Sequence, residues 1–265
     1  METPVVRQAR AYSAENPEEG GSQAVKVQLK LREMVLAGEL LAGTRIAELS
    51  IVKKLGVSRT PIRAALMRLE QEGLLVTLPN GGYAVRTFTE RDVVDAIELR
   101  GTLEGLAVRL AAERGAAPQV LSEARECLDQ IDTLLRDAAL NDEAFSRYVV
   151  LNRQFHHLMA ELSDSLVIVR ELERVASLPF ASPSGFVVVQ ANSSRARDML
   201  IVAQDQHRQV LDAIEGREGG RAESIMREHA RLAQRNLREV LRSPGSDALP
   251  GVRLIRKRSP SPGST

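Results

Sequence analysis

The chain has 265 residues, 43% of them apolar, with three Tyr, five Phe and no Trp. That is room for two modest domains packed mainly by aliphatic side chains. A formal net charge of +1 excludes attraction to a polyanion by bulk charge alone, and the single cysteine, Cys127, excludes an intrachain disulfide and suits a reducing cytoplasm. No segment has the unbroken apolar length of a membrane span, and the polar N-terminus does not read as a secretory signal.

Residues 1–22 are polar and mixed in charge and read as a disordered tail. From Gln23 to Ala37, Val27, Leu31, Met34 and Val35 recur at helical spacing, and Gly38 ends the run. Ala42-Gly43 makes a turn, Ile46–Leu55 a second short helix, and Gly56 a left-handed turn into a third helix from Arg59 to about Glu72. Ser58 is its N-cap, with a hydroxyl able to accept an orphan backbone N–H, and Pro61 falls in the first turn, where its missing N–H costs little. Ile62, Ala65, Leu66 and Leu69 form an apolar face, while Arg59 and Arg63 share another face near the N-terminus. Three helices with a tight turn before the last describe a helix-turn-helix. Two short runs follow, Leu74–Leu78 and Tyr83–Phe88, separated by Pro-Asn-Gly-Gly at 79–82. Asn-Gly between such runs signals a hairpin, and a hairpin after a helix-turn-helix makes a winged helix over residues 23–88. Gly81 and Gly82 would let this wing approach DNA closely; a plain structural hairpin is the alternative.

Residues 89–242 read as six helices: Thr89 to about Arg114, with Asp92 placed for a capping box; Pro118 to about Ala139; Asp142 to about Leu162; Asp164 to Pro179; Ser194 to Glu215; and Glu218 to Leu241. The fold class is therefore mainly α, a winged helix-turn-helix followed by a six-helix antiparallel bundle. Residues 23–88 carry ten Lys/Arg against five Asp/Glu, and residues 89–242 carry twenty against twenty-five. A basic N-terminal part joined to an acidic remainder suggests a division of labour. Residues 243–265, rich in Pro, Ser, Gly, Arg and Lys, read as a second disordered tail, either solvated or adding non-specific phosphate affinity.

Two sets of bundle residues point to chemistry. Arg100 interrupts the apolar stripe of Ala96, Leu103, Ala107 and Leu110, and a buried guanidinium needs a partner. Glu104, one turn on, is the structural partner; the carboxylate of an effector is the functional one. Asn152 and His156 lie one turn apart on one helix, and His207 and His229 fall on two others. Three imidazoles and one oxygen ligand from three helices can close around a divalent metal, with Zn²⁺ or Ni²⁺ favoured by imidazole. His157 points about 100° away from His156 on an ideal helix and is not expected to be a ligand.

GTRIAELSIVKKLGVSRTPIRAALMRLEQEGLL, followed by NGGYAV, resembles the winged helix of GntR-family transcriptional regulators. ELRGTLEGLAVRLAAERG, NRQFHHLM, DQHRQVLDAI and MREHA resemble the effector-binding (FCD-type) bundle of the FadR branch, and together these cover nearly all of residues 23–241. Six bundle helices, the PFASPSGF loop and the Asn-x-x-Phe-His form are similar to the vanillate-responsive VanR-like subgroup. The resemblance implies that Ser58, Arg59, Thr60 and Arg63 meet DNA, with Arg45 either touching phosphate or capping a turn. It implies that Arg100 binds a small carboxylate effector, with an aromatic acid such as vanillate among the candidates. It also implies a metal site, with Asn152 standing where the family usually has Asp. Two more departures are Ala64, where the family often has Glu, and Val52, where it often has Ala.

The expected protein is a cytoplasmic, ligand-responsive repressor, a homodimer on a pseudo-palindromic double-stranded operator and not an enzyme. Two alternatives are a winged-helix regulator whose bundle only dimerises and a His-ligated metal hydrolase. The second lacks a recognisable general-base motif beside the histidines.

Overall fold

In a computed structural model the described residues are 17–136, 142–178, 181–183, 196–242, 246 and 251–256. Helices α1 (Pro17–Leu36), α2 (Glu48–Leu55) and α3 (Arg59–Gln71) precede a hairpin of β1 (Leu75–Thr77) and β2 (Tyr83–Val85). The strands pair antiparallel with Val76 opposite Ala84. The turn closes with the Gly81 N–H donating to the Leu78 carbonyl at 2.9 Å, and Gly81 and Gly82 both have positive φ, +77° and +82°. Residues 43–46 line the other edge of β2, where the Ile46 N–H donates to the Tyr83 carbonyl at 2.8 Å. Ile62, Ala65, Leu66 and Leu69 are all buried in one core with Val27, Leu31, Met34 and Val35 of α1, as their spacing predicts.

The bundle comprises α4 (Glu90–Arg114), α5 (Pro118–Leu135), α6 (Asp142–Glu161), α7 (Leu166–Ala176), α8 (Ala196–Glu215) and α9 (Gly219–Arg242). Thr89 and Asp92 form the expected capping box: the Thr89 N–H donates to Asp92 Oδ2 at 2.7 Å, and the Asp92 N–H donates to Thr89 Oγ1 at 3.1 Å. α4 and α9 pack very closely. A Cβ on Gly101 would lie 2.5 Å from Ala230 Cβ, and one on Gly105 would lie 2.9 Å from Arg227 Cγ. Both positions demand glycine, and the close approach brings His229 of α9 beside Arg100 and Glu104 of α4. The winged helix is not a separate bead: Val93 and Ile97 of α4 and Leu237 of α9 belong to its core.

Both expected tails need correction within the described residues. α1 begins at Pro17 rather than Gln23; Pro17-Glu18-Glu19 is a helix-opening sequence, with proline pre-set for the first turn and acids favoured there. The Val252–Leu254 3₁₀ turn and β4 (Ile255–Arg256) are ordered, not a solvated tail. β4 pairs parallel with β3 (Phe88–Thr89), and Val252, Leu254 and Ile255 are buried in the winged-helix core. Three apolar residues in a short span outweigh the polar composition around them, because burial is local. The remainder of both segments, Ser246 apart, lies outside the described residues, as do the end of the second bundle helix beyond Arg136 and all of PFASPSGF except Ala181–Pro183.

Candidate functional site

Two regions carry chemistry. The first is the outer face of α3. Ser58, Arg59, Thr60 and Arg63 are all exposed, while the opposite face of the helix is buried. The Ser58 side chain makes no capping hydrogen bond, contrary to the expectation from sequence. Arg63 Nε donates to both carboxylate oxygens of Glu48 at 3.0 and 3.1 Å, a contact that leaves the two terminal nitrogens for another acceptor. Arg45 lies across the wing turn. Its Nη2 donates to the Gly81 carbonyl at 3.1 Å, and a Cβ on Gly82 would crowd it at 3.3 Å. The turn-capping alternative for Arg45 is thus the arrangement present, and it sets an exposed cation at the wing tip.

The second region is buried between α4, α6, α8 and α9. Arg100 Nη1 donates to both oxygens of Glu104 at 3.1 and 2.9 Å, and Glu104 Oε1 in turn accepts from His156 Nδ1 at 2.8 Å. Burial pushes the Glu104 carboxyl up, but Arg100 and then His156 outweigh it and hold it down at about 2. With His156 Nδ1 turned to Glu104, its Nε2 is buried and has no partner. His207 follows the same logic. Gln204 Nε2 donates to the Leu128 carbonyl at 3.0 Å and to Asp132 at 2.7 Å, which turns Oε1 toward His207 Nδ1 at 3.2 Å. His229 Nδ1 stands 3.2 Å from Gln206 Oε1. Burial, then the neighbouring histidines, push His207 well below its ordinary value; burial, then His156, push His229 down to about 3.

His207 and His229, kept neutral by burial, turn their Nε2 atoms toward each other, and His156 stands beside them. His207 Nε2 and His229 Nε2 are 3.2 Å apart, and one ligand atom from each of His156, His207 and His229 lies within 4.8 Å of the others. Two bare lone pairs at that distance repel each other. A cation between them resolves the conflict, and tetrahedral ligands at 2.0–2.1 Å from a metal stand about 3.3 Å apart. The side chains present fit a divalent metal, with Glu104, Gln204 and Gln206 fixing the ring tautomers as outer partners normally do. Asn152 is buried one turn before His156, and with Arg100 and His229 it lines a small cavity beside the cluster. His157 is half exposed, stands 3.3 Å from Glu161 and is not in the histidine cluster, though it lines the larger cavity described next.

Arg100 makes the structural pair with Glu104 that its spacing predicts. It holds Glu104, yet its Nε has no partner, so the edge that Nε shares with Nη2 is not used by Glu104. A cavity of about 230 Å³ opens beside it, walled by Ala160, Val169, Leu172 and Ala176, with Arg153 and His156 at its polar side. Sequence reasoning missed the Glu104–His156 contact, because it spans two helices. The His207–Gln204 contact was within reach, since the residues are three apart on one helix.

Residues 23–85 match the family described as "Bacterial regulatory proteins, gntR family", and residues 95–232 match the FCD domain. The chain belongs to the GntR family. YdhC, an HTH-type transcriptional regulator of Bacillus subtilis (strain 168), is 31% identical over 149 residues, 56% of this chain and 64% of that protein. The match thus spans just under two-thirds of that relative's length. The HTH-type transcriptional repressor GlaR of Escherichia coli (strain K12) is 24% identical over 208 residues, 75% of this chain and 88% of GlaR. Among solved structures, E. coli McbR/YncC superposes with a TM-score of 0.60 at 21% identity, covering 82% of this chain and 97% of that one. GntR-family membership with an FCD domain accounts for both regions: a winged helix and a helical cage.

Proposed function

We propose that the chain is a cytoplasmic, ligand-responsive DNA-binding regulator, a homodimer whose two α3 helices enter successive major grooves of a pseudo-palindromic operator. The observation that carries the reading is the exposed set Ser58, Arg59, Thr60 and Arg63, held on a helix whose other face is buried, beside a wing tipped by Arg45. Arg59 and Arg63 read guanine O6 and N7, Ser58 and Thr60 hold phosphate oxygens, and Gly81 and Gly82 let the wing approach the backbone. A homodimer matches the two-fold symmetry of such a site. The name of GlaR supports repression as the sign of the output.

The bundle senses a small carboxylate. The acid pairs with Arg100 Nη2, which Glu104 does not hold, and its body lies against the apolar wall of Val169 and Leu172. That wall accepts an aromatic acid such as vanillate. His156, His207 and His229, with Asn152 as a neutral fourth donor, would hold Zn²⁺ or Ni²⁺. The bound ion would supply a Lewis-acidic point for the acid and tie α6, α8 and α9 together. Coupling runs along two rods. Arg100 lies three residues after Ile97, and His229 eight residues before Leu237; both of those apolar residues sit in the winged-helix core. A shift of α4 against α9 at the effector is thereby delivered to the base of the wing, for a coupling of typically about 1–3 kcal/mol.

The test is selection of DNA from a random duplex pool by the full chain, then footprinting of the selected site with and without a panel of aliphatic and aromatic acids. Selective protection that an acid weakens supports the reading; a pool that never converges on a motif overturns it. Metal analysis of protein purified without chelator belongs beside it. We expect about one Zn or Ni per chain, lost in His207→Ala. A bundle that only dimerises would bind neither metal nor acid.

A further inference from the structure

Asn236 played no part in the sequence reading and lies just beyond the FCD match, which ends at residue 232. It is buried on α9, one residue before Leu237 of the winged-helix core, and its Oδ1 has no hydrogen-bond partner. A buried carbonyl oxygen left unpaired costs roughly 1–3 kcal/mol, so a native protein keeps one where something else completes it. Asn236 lines the small cavity beside the histidines with Arg100, whose Nε–H is also unpaired, and with Tyr148 and Asn152. That cavity has room for about 30 Å³, little more than one water.

We propose that Asn236 selects effectors that carry a hydroxyl in addition to their carboxylate. The two unpaired atoms have opposite roles: Arg100 Nε donates and Asn236 Oδ1 accepts. One group that satisfies both at once is a hydroxyl, which accepts through its oxygen and donates through its hydrogen. Its size matches the cavity. An ammonium can donate to Asn236 but cannot accept, and the Arg100 charge repels it. A methyl or hydrogen leaves both atoms unpaired. Arg100 and Pro183 line this cavity and also the larger one, so an acid whose body fills the larger can place a hydroxyl in the smaller. The preferred ligand is a hydroxycarboxylate, aliphatic or phenolic. The inference rests on the carboxylate reading of Arg100 and adds a second point of recognition.

The experiment is calorimetry on the full chain with acids paired by one hydroxyl: lactate with propionate, malate with succinate, 4-hydroxybenzoate with benzoate. We expect that in the pair that binds, the hydroxy acid is favoured at least tenfold. In Asn236→Leu the preference falls to about twofold or less, because the simple acid is retained while the hydroxy acid loses affinity. Asn236→Ala, checked by circular dichroism, serves as a second variant with the opposite change in volume. A preference that survives both variants, or acids that bind with no preference, overturns the role of Asn236 and leaves the carboxylate reading standing. Failure of every acid to bind overturns both.

Discussion

Arg63 and Arg100 each hold a glutamate, and the two pairs behave oppositely. The Arg63–Glu48 contact sits at the surface, with side chains 65% and 30% exposed; Arg100–Glu104 is sealed, at 2% and 4%. A solvent-exposed pair is worth about 0–1 kcal/mol, so DNA can take Arg63 from Glu48 at small cost. A buried pair is different: removing one member strands the other charge in a medium that cannot solvate it. The surface arginine is therefore free to change partner, while the interior one is anchored by Nη1 and offers only its unused edge. One chemistry is left open to a reader's role in the proposed function and is a fixed post in the other place, and burial makes the difference.

That contrast can be broken at four points. The largest effect is expected from Arg59→Ala with Arg63→Ala. Two base contacts at about 1–3 kcal/mol each give a loss of at least about thirtyfold in operator affinity, read by fluorescence anisotropy at fixed salt, with an unchanged melting temperature. Undiminished selective binding would remove α3 from the interface. Next comes Arg100→Met, expected to cost about 3–5 kcal/mol in chemical denaturation because Glu104 is left unpaired. The double variant Arg100→Met with Glu104→Met should recover most of that stability. A single-variant cost below about 1 kcal/mol would show that the pair is solvated after all. Leu254→Ala should destabilise by about 2–5 kcal/mol if the C-terminal segment fills the core under the wing. An unaltered denaturation midpoint would return residues 251–256 to the disordered tail expected from composition. The smallest effect is Thr89→Ala, where loss of the cap that starts α4 should cost about 0.5–2 kcal/mol, visible as a lower midpoint with unchanged DNA affinity.

The sequence-level errors share one cause. Leu254 and Ile255 sit among Pro, Ser, Gly and basic residues, and a window over residues 243–265 averages them away. Their burial depends on β3 being where it is, at the hinge between wing and bundle, and no local pattern records that. Ser58 was placed correctly at the N-cap, but whether its hydroxyl caps depends on a side-chain rotamer, which sequence does not specify.

What the sequence determined by itself is everything with a short period. The apolar face of α3 is fixed by the spacing of Ile62, Ala65, Leu66 and Leu69, the wing turn by Asn80-Gly81-Gly82, the start of α4 by Thr89 and Asp92, and the outward pair by Arg59 and Arg63. These features depend on neighbours within about seven residues, where helix and turn geometry is the same in any protein. Tertiary structure alone decided that the His207 and His229 Nε2 atoms face one another, that Glu104 serves both Arg100 and His156, and that Asn236 and Arg100, each with an unpaired polar atom, line one small cavity. Those contacts reach across α4, α6, α8 and α9, and the close crossing of α4 and α9 at Gly101 and Gly105 brings Asn236 and Arg100 to one cavity. A hydrogen bond is made or lost within a few tenths of an ångström, and that precision belongs to packing, not to spacing along the chain.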